Sequence, residues 1–242
     1  MDIIEESIIH RFMGVTSKLG NYCVFKKKKR LSDYLLKVIY KVCGEHIKSN
    51  VFYYNHVAFS FNKIYFWKNL LKNMIFFDRY YYLIEDRVLD AGCGAAPSSI
   101  AIDNVIKFRK KKNISFLLLE RSKNQLLIAK DITQIMNIEI KTYLEDCFDM
   151  ERERFNELVV FSYFFCEQKR DFIKKLFINR RKFIKGFVVI DYKYNIMKIK
   201  QYFYDNGDKD IESVFLDFLV PPILFEFIHD REISVNGCFY RP

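Results

Sequence analysis

Residues 88–97 read Val88-Leu89-Asp90-Ala91-Gly92-Cys93-Gly94-Ala95-Ala96-Pro97. Two of the chain's 8 glycines stand here with one residue between them. The stretch before them, Arg87 to Asp90, reads as a short strand. The stretch after them, Pro97 to Arg109, reads as a helix, because proline suits the first helical position. Strand, glycine turn and helix in succession form the setting of a nucleotide-binding loop. Glycine lets the backbone turn sharply and approach a ligand with no Cβ in the way. Two familiar loops are excluded. No Gly-Lys-Ser/Thr follows, so this is not a P-loop, and Pro97 occupies the place of the third glycine in the dinucleotide fingerprint.

Outward from this loop the pattern alternates between strand and helix. Ile114 to Leu119 is an uninterrupted apolar run, which suits a buried parallel strand. Ser122 caps a helix predicted to run to Met136. Ile138 to Leu144 alternates as a strand, and Leu158 to Phe161 and Phe187 to Ile190 are further buried strands. Lys169 to Phe183 reads as a basic amphipathic helix and Tyr194 to Tyr204 as another helix, with Asn206-Gly207 marking a turn. Leu224 to Ile228 and Ile233 to Tyr240 are predicted to pair as an antiparallel hairpin. Regular β-α alternation predicts a parallel sheet covered by helices on both faces. Before residue 87 the pattern is helical, over Leu31 to Ile47 and again over Val57 to Phe77. The chain therefore divides into a helical region, 1–86, and an α/β domain, 87–242.

Asp90, two residues before Gly92, would repel a pyrophosphate and suits instead a ligand bearing an amino group and a sulfonium. On this loop the sequence resembles the class I S-adenosylmethionine-dependent methyltransferases. Their first motif is two hydrophobic residues, Asp, any residue, Gly, any residue, Gly, any residue, then Gly or a small residue. Here Ala96 fills the last place. The resemblance implies a Rossmann-like sheet of seven mostly parallel strands with an antiparallel C-terminal hairpin. It implies S-adenosylmethionine as cofactor, with Asp90, Ala91, Gly92, Cys93 and Gly94 forming the donor loop. Glu120, closing the second strand, would take both ribose hydroxyls, since a carboxylate accepts two hydrogen bonds from a cis-diol. Arg121 follows it. Asp146 would accept from the adenine amino group beside Cys147, with Glu145 and Asp149 as alternatives. Phe161 and Ser162 end the fourth strand, and Tyr163 is the candidate acceptor-lining residue. Cys166 lacks the preceding proline of the covalent cytosine enzymes, which argues against a thiol nucleophile. No Asp/Asn-Pro-Pro-Tyr/Phe motif is present, which removes the amino-methylating enzymes that use it.

Composition completes the expectation. The 242 residues carry 40 Lys or Arg against 30 Asp or Glu, a net charge of +10, and 17% of them are aromatic. Half the chain is hydrophobic, which excludes a disordered tail. Residues 1–86 hold 14 basic against 8 acidic residues and 18 of the aromatics. The runs Lys26 to Arg30, Arg109 to Lys112 and Arg180 to Lys182 suit phosphate neutralisation, and aromatics among basic residues suit base stacking. RNA is therefore the expected partner, ribosomal RNA first, bound through the basic N-terminal region. The loop and helical extension are also loosely similar to ribosomal RNA methyltransferases. A small-molecule methyltransferase with a helical lid and a non-catalytic scaffold stay open as alternatives. The acidic N-terminus lacks a secretory pattern. The best apolar stretch, Val214 to Ile228, is interrupted by Asp217, Pro221, Pro222 and Glu226. A cytoplasmic protein without a membrane span is expected. Six scattered cysteines and four histidines give no ligand spacing for a metal.

Overall fold

The computed structural model describes residues 2–26, 38, 42, 51–146, 148, 155–164, 168 and 171–242. Among them the order of elements is β1 (Asp2–Ile3), α1 (Glu6–Leu19), α2 (Cys23–Lys26), α3 (Val51–Arg79), β2 (Arg87–Ala91), α4 (Pro97–Lys110), β3 (Ser115–Leu119), α5 (Lys123–Ile135), β4 (Ile140–Tyr143), β5 (Leu158–Ser162), α6 (Phe172–Asn179), β6 (Phe187–Ile190), α7 (Lys193–Asp205), β7 (Ile211–Leu219) and β8 (Glu232–Tyr240). One eight-stranded sheet takes the order β1-β7-β8-β6-β5-β2-β3-β4. β8 runs antiparallel to both β6 and β7. Every other neighbouring pair is parallel. The chain moves outward from β2 through β3 to β4, then returns to β5 on the other side of β2. The carboxyl ends of β2 and β5 thus flank a topological switch point, where open α/β sheets bind their ligands.

The central strands are buried on both sides, which their unbroken apolar runs require. Along β2, Val88 joins the core under α1, α3, α4 and α5, while Leu89 joins the opposite core under α6 and α7. Successive strand residues point to opposite faces, so one strand feeds two cores. The C-terminal half of α3 is almost wholly buried from Phe66 to Asp78. Phe12, Phe66, Phe76 and Phe77 are fully buried, so much of the aromatic weight of residues 1–86 is core. Asp78, buried near the end of α3, is clasped by Arg11 of α1 and Arg109 of α4. Buried charge tolerates this only when paired and hydrogen-bonded.

Several expectations need correction. The first hairpin strand is Ile211–Leu219, not Leu224 to Ile228. Pro221 and Pro222 cannot continue a ladder, and Pro222–Leu224 forms a 3-10 turn whose Leu224 is buried. The sheet has eight strands, because Asp2 and Ile3 pair with Phe218 and Leu219 at the outer edge of β7. The helix expected from Val57 begins at Val51, and that expected over Lys169 to Phe183 is Phe172–Asn179 followed by a 3-10 turn, Arg180–Lys182. The helix expected over Leu31 to Ile47 lies outside the described residues except for Val38 and Val42, which are helical. No helix among the described residues is long and apolar enough to cross a membrane.

Candidate functional site

The loop after β2 is built by three backbone devices. The amides of Gly92 and Cys93 both donate to the Leu119 carbonyl, at 2.8 and 3.0 Å, tying the loop to the end of β3. Gly92 (φ 67°), Gly94 (φ 54°) and Ala96 (φ 60°) all adopt the left-handed conformation. Glycine takes it without strain, whereas Ala96 bears a small cost as the residue capping α4. A Cβ on Gly92 would fall 2.2 Å from the Phe164 ring, so only glycine lets that ring close over the loop. A Cβ on Gly94 would meet only the Gln125 side chain at 4.0 Å, because Gly94 faces open space.

That space is a cavity of about 270 Å³ at the carboxyl ends of β2, β3 and β5. Of the residues singled out in the sequence, Gly92, Cys93, Gly94, Glu120, Arg121, Asp146, Ser162 and Tyr163 line it, and Glu145 does too. Glu120 is held by the loop it faces. Its Oε2 accepts from the Gly94 amide at 2.9 Å and its Oε1 from the Ser122 amide at 2.8 Å. A carboxylate has about four acceptor positions, which these backbone bonds do not exhaust. Burial raises the Glu120 pKa, opposed by the Ser122, Gly94 and Arg121 backbone bonds and by the Arg121 charge. Asp146 accepts from the Phe148 amide at 2.9 Å and lies 3.5 Å from the Arg121 guanidinium.

Three of the residues singled out lie behind the wall instead. Asp90 is fully buried beneath the loop, and its Oδ2 accepts from the Ser98 and Ser99 hydroxyls, each at 2.6 Å. Its charge faces the first turn of α4, where a helix favours an anion. Burial raises its pKa, and the Ser98 and Ser99 hydrogen bonds oppose that rise. Ala91 and Phe161 are likewise buried and form no part of the lining. Cys147, Asp149 and Cys166 lie outside the described residues. Burial pushes the Cys93 thiol well above its usual range, so it is no thiolate.

The far wall comes from the N-terminal region, whose individual site residues the sequence did not single out. Tyr54, Phe61, Asn62, Tyr65, Phe66 and Asn69, all on α3, line the cavity, as do Gln125 and Tyr192. Three asparagines of α3 fasten it across the site. Asn55 accepts from the Ser122 hydroxyl at 2.8 Å, and Asn62 donates to Gln125 at 2.6 Å. Asn73 donates to the Ser162 oxygen at 2.8 Å while Ser162 returns a bond at 3.0 Å. Asn at 55, 62, 69 and 73 follows helical spacing within an apolar segment, and that was the available signal. Tyr163 leaves β5 in the left-handed conformation, φ 52°, with its amide donating to the Ile190 carbonyl at 2.6 Å. Its ring meets Tyr192 edge-on at 5.8 Å and lies 5.4 Å from the Lys72 ammonium. Burial and neighbouring Lys68 push Lys72 down to about 8, against the pull of Asp230 and Asp191.

Four residues of the basic runs are engaged within the protein. Arg109 pairs with Asp78, Lys110 donates to the Ile84 carbonyl at 2.6 Å, and Lys112 pairs with Asp86 at 2.6 Å. Arg180 pairs with Asp208 and lies over the Phe177 ring. The Lys26 to Arg30 run lies outside the described residues beyond Lys26. No cluster among the described residues could hold a metal ion.

With β1 set aside, seven strands in the order β7-β8-β6-β5-β2-β3-β4, with β8 alone antiparallel, form the Rossmann-like, mostly parallel sheet with an antiparallel C-terminal hairpin that the resemblance of the first motif implied. No family model matches the chain, and no curated protein does. Among solved structures it is similar to a protein of Pyrococcus horikoshii described as a candidate RNA methyltransferase. The identity is 13%, over 72% of this chain and 84% of that one, with a TM-score of 0.48. It is similar to a human methyltransferase 10 domain-containing protein at 13% identity, over 70% and 79%, with a TM-score of 0.46. It is similar to the tRNA (uracil-54, C5)-methyltransferase of Pyrococcus abyssi, solved with S-adenosyl-L-homocysteine, at 13% identity over 69% and 38%, with a TM-score of 0.43. At such distances the strand order, and not the superposition, defines the fold.

Proposed function

We propose that the chain binds S-adenosylmethionine in the cavity above β2, β3 and β5 and transfers its methyl group to RNA. The observation that carries the donor half is the coupling of loop and acid: Gly94 opens onto the cavity while its amide fixes Glu120 beside it. The residues fit the cofactor. Glu120 keeps acceptor capacity for the ribose diol, and Asp146, or Glu145 beside it, lines the wall where the adenine amino group would donate. Asp90 supports the loop from below through Ser98 and Ser99. The bound cofactor supplies an already activated methyl group on a sulfonium, so the protein's task is positioning and exclusion of water. Tyr163, at the acceptor end of the cavity beside Tyr192, is the proposed acceptor-lining residue.

RNA as acceptor is supported by the net charge of +10 and by aromatics that stay exposed beside basic residues. The region 1–86 is proposed as a cap over the donor, because α3 supplies the far wall of the cavity. That same wall favours a second reading, a small-molecule methyltransferase whose lid is α3. Transfer of labelled methyl groups to ribosomal subunits, transfer RNA and a small-molecule extract separates the two. Label in RNA is expected. Label only in the small-molecule fraction supports the second reading, and no label in any fraction contradicts both.

A further inference from the structure

The rim of the cavity continues onto the surface at Tyr192, which lines the cavity yet is 53% exposed. Tyr192 sits at the carboxyl end of β6 and caps α7. The helix then carries a ridge of unusual composition. Tyr194 is 66% exposed, and Lys198, one turn further on, holds its ammonium 4.2 Å from the Tyr194 ring centroid. Met197 stands exposed between them. Lys193 lies 5.6 Å from the ring of Phe215, which is exposed on neighbouring β7. Neither Lys193 nor Lys198 enters an ion pair among the described residues, unlike Arg109, Lys112 and Arg180. Large apolar rings cost free energy in water, and uncompensated ammonium groups beside them seek an anion.

Resting on the RNA reading above, we infer that this ridge, Tyr192 to Lys198 with Phe215, is the track that holds a single-stranded RNA segment next to the methylated nucleotide. The chemistry matches part by part. Exposed rings stack on bases without sequence preference, and ammonium groups spaced among them neutralise phosphates. Continuity with the cavity through Tyr192 and Tyr163 puts the track at the acceptor end rather than the donor end.

The test uses the full chain, a fluorescein-labelled 12-nucleotide single-stranded RNA and two variants, Tyr194→Ala and Lys193→Ala/Lys198→Ala, neither of which alters the cavity wall. Both variants are expected to bind S-adenosylmethionine within about twofold of wild type, which also certifies their fold. RNA affinity should fall by about fivefold or more for Tyr194→Ala, the lower end of the effect of losing one stacking platform. For the lysine pair, the slope of log affinity against log salt should shrink by about 1.4, the release of counterions from two phosphates. If wild type methylates RNA while both variants bind RNA with unchanged affinity and slope, the track is overturned and the RNA reading stands. If wild type binds S-adenosylmethionine but neither binds nor methylates RNA, the RNA reading falls and the track with it.

Discussion

At the scale of single residues, the two loop glycines differ in what they permit. Gly92→Ala places a methyl group inside the Phe164 ring and forces alanine to φ 67°. We expect a loss of at least ~2 kcal/mol in stability from strain and overpacking together, measured by denaturant unfolding. Gly94→Ala meets only open space, so about 1 kcal/mol of backbone strain is expected there. Equal losses for the two would contradict the packing described. Lys72 offers a pH test. Its folded value of about 8 lies below the ordinary 10.5, so between those values the unfolded chain binds more protons than the native one. Stability from this group therefore rises with pH across that window, and below it the full cost of the buried cation remains. Lys72→Met should raise Tm at pH 7, and its advantage should shrink as pH approaches 10.5. An advantage that does not change with pH would place the effect in packing rather than charge. Asp90 is the residue whose identity was legible and whose position was not. Residue type and spacing marked it as part of the loop, but only three-dimensional packing could turn it beneath the loop toward Ser98 and Ser99.

At the scale of elements, α3 changes the account most. Its 29 residues form one helix whose second half is core and whose first half walls the site. The apolar pattern revealed a helix but not its partner, since a segment buried almost all round carries little directional signal. The Asn73–Ser162 pair is the joint between this helix and the end of β5. Asn73→Ala should cost about 1–3 kcal/mol, because it leaves the Ser162 hydroxyl without that partner. A double-mutant cycle with Ser162→Ala should then show coupling of at least ~0.5 kcal/mol. Additive losses would mean that the two bonds do not join helix to strand. The elements from β2 to α7 were legible within a few residues, because caps and apolar runs coincide there. Ser122, for instance, accepts from the Gln125 amide as a helix cap should. The C-terminal hairpin was misplaced because β7, Ile211–Leu219, lacks clean alternation: three of its nine residues are neither buried nor fully exposed, and two of these are adjacent. The apolar cluster after Pro222 looked more strand-like than the strand itself.

At the scale of the whole molecule, the sheet order sets the site. Sequence alternation predicted a parallel sheet, yet the position of β8 between β6 and β7 follows from long-range pairing that no local pattern encodes. That order places the ends of β2, β3 and β5 around one cavity and brings Gly94 to Glu120 across a separation of 26 residues. The basic surplus that opened the RNA reading is divided on the same scale. Some of it ties α1 and α4 to α3 through Asp78 or pairs with Asp208 in the loop before β7, and some, on α7, enters no ion pair among the described residues. The cavity as a donor site is the central claim, and titration calorimetry with S-adenosylmethionine tests it most directly. Wild type should bind. Glu120→Ala should weaken binding by tenfold or more, the equivalent of about 1.4 kcal/mol and within the range for hydrogen bonds to a charged group. Absence of binding by wild type, or a Glu120→Ala variant that binds as tightly, would contradict it.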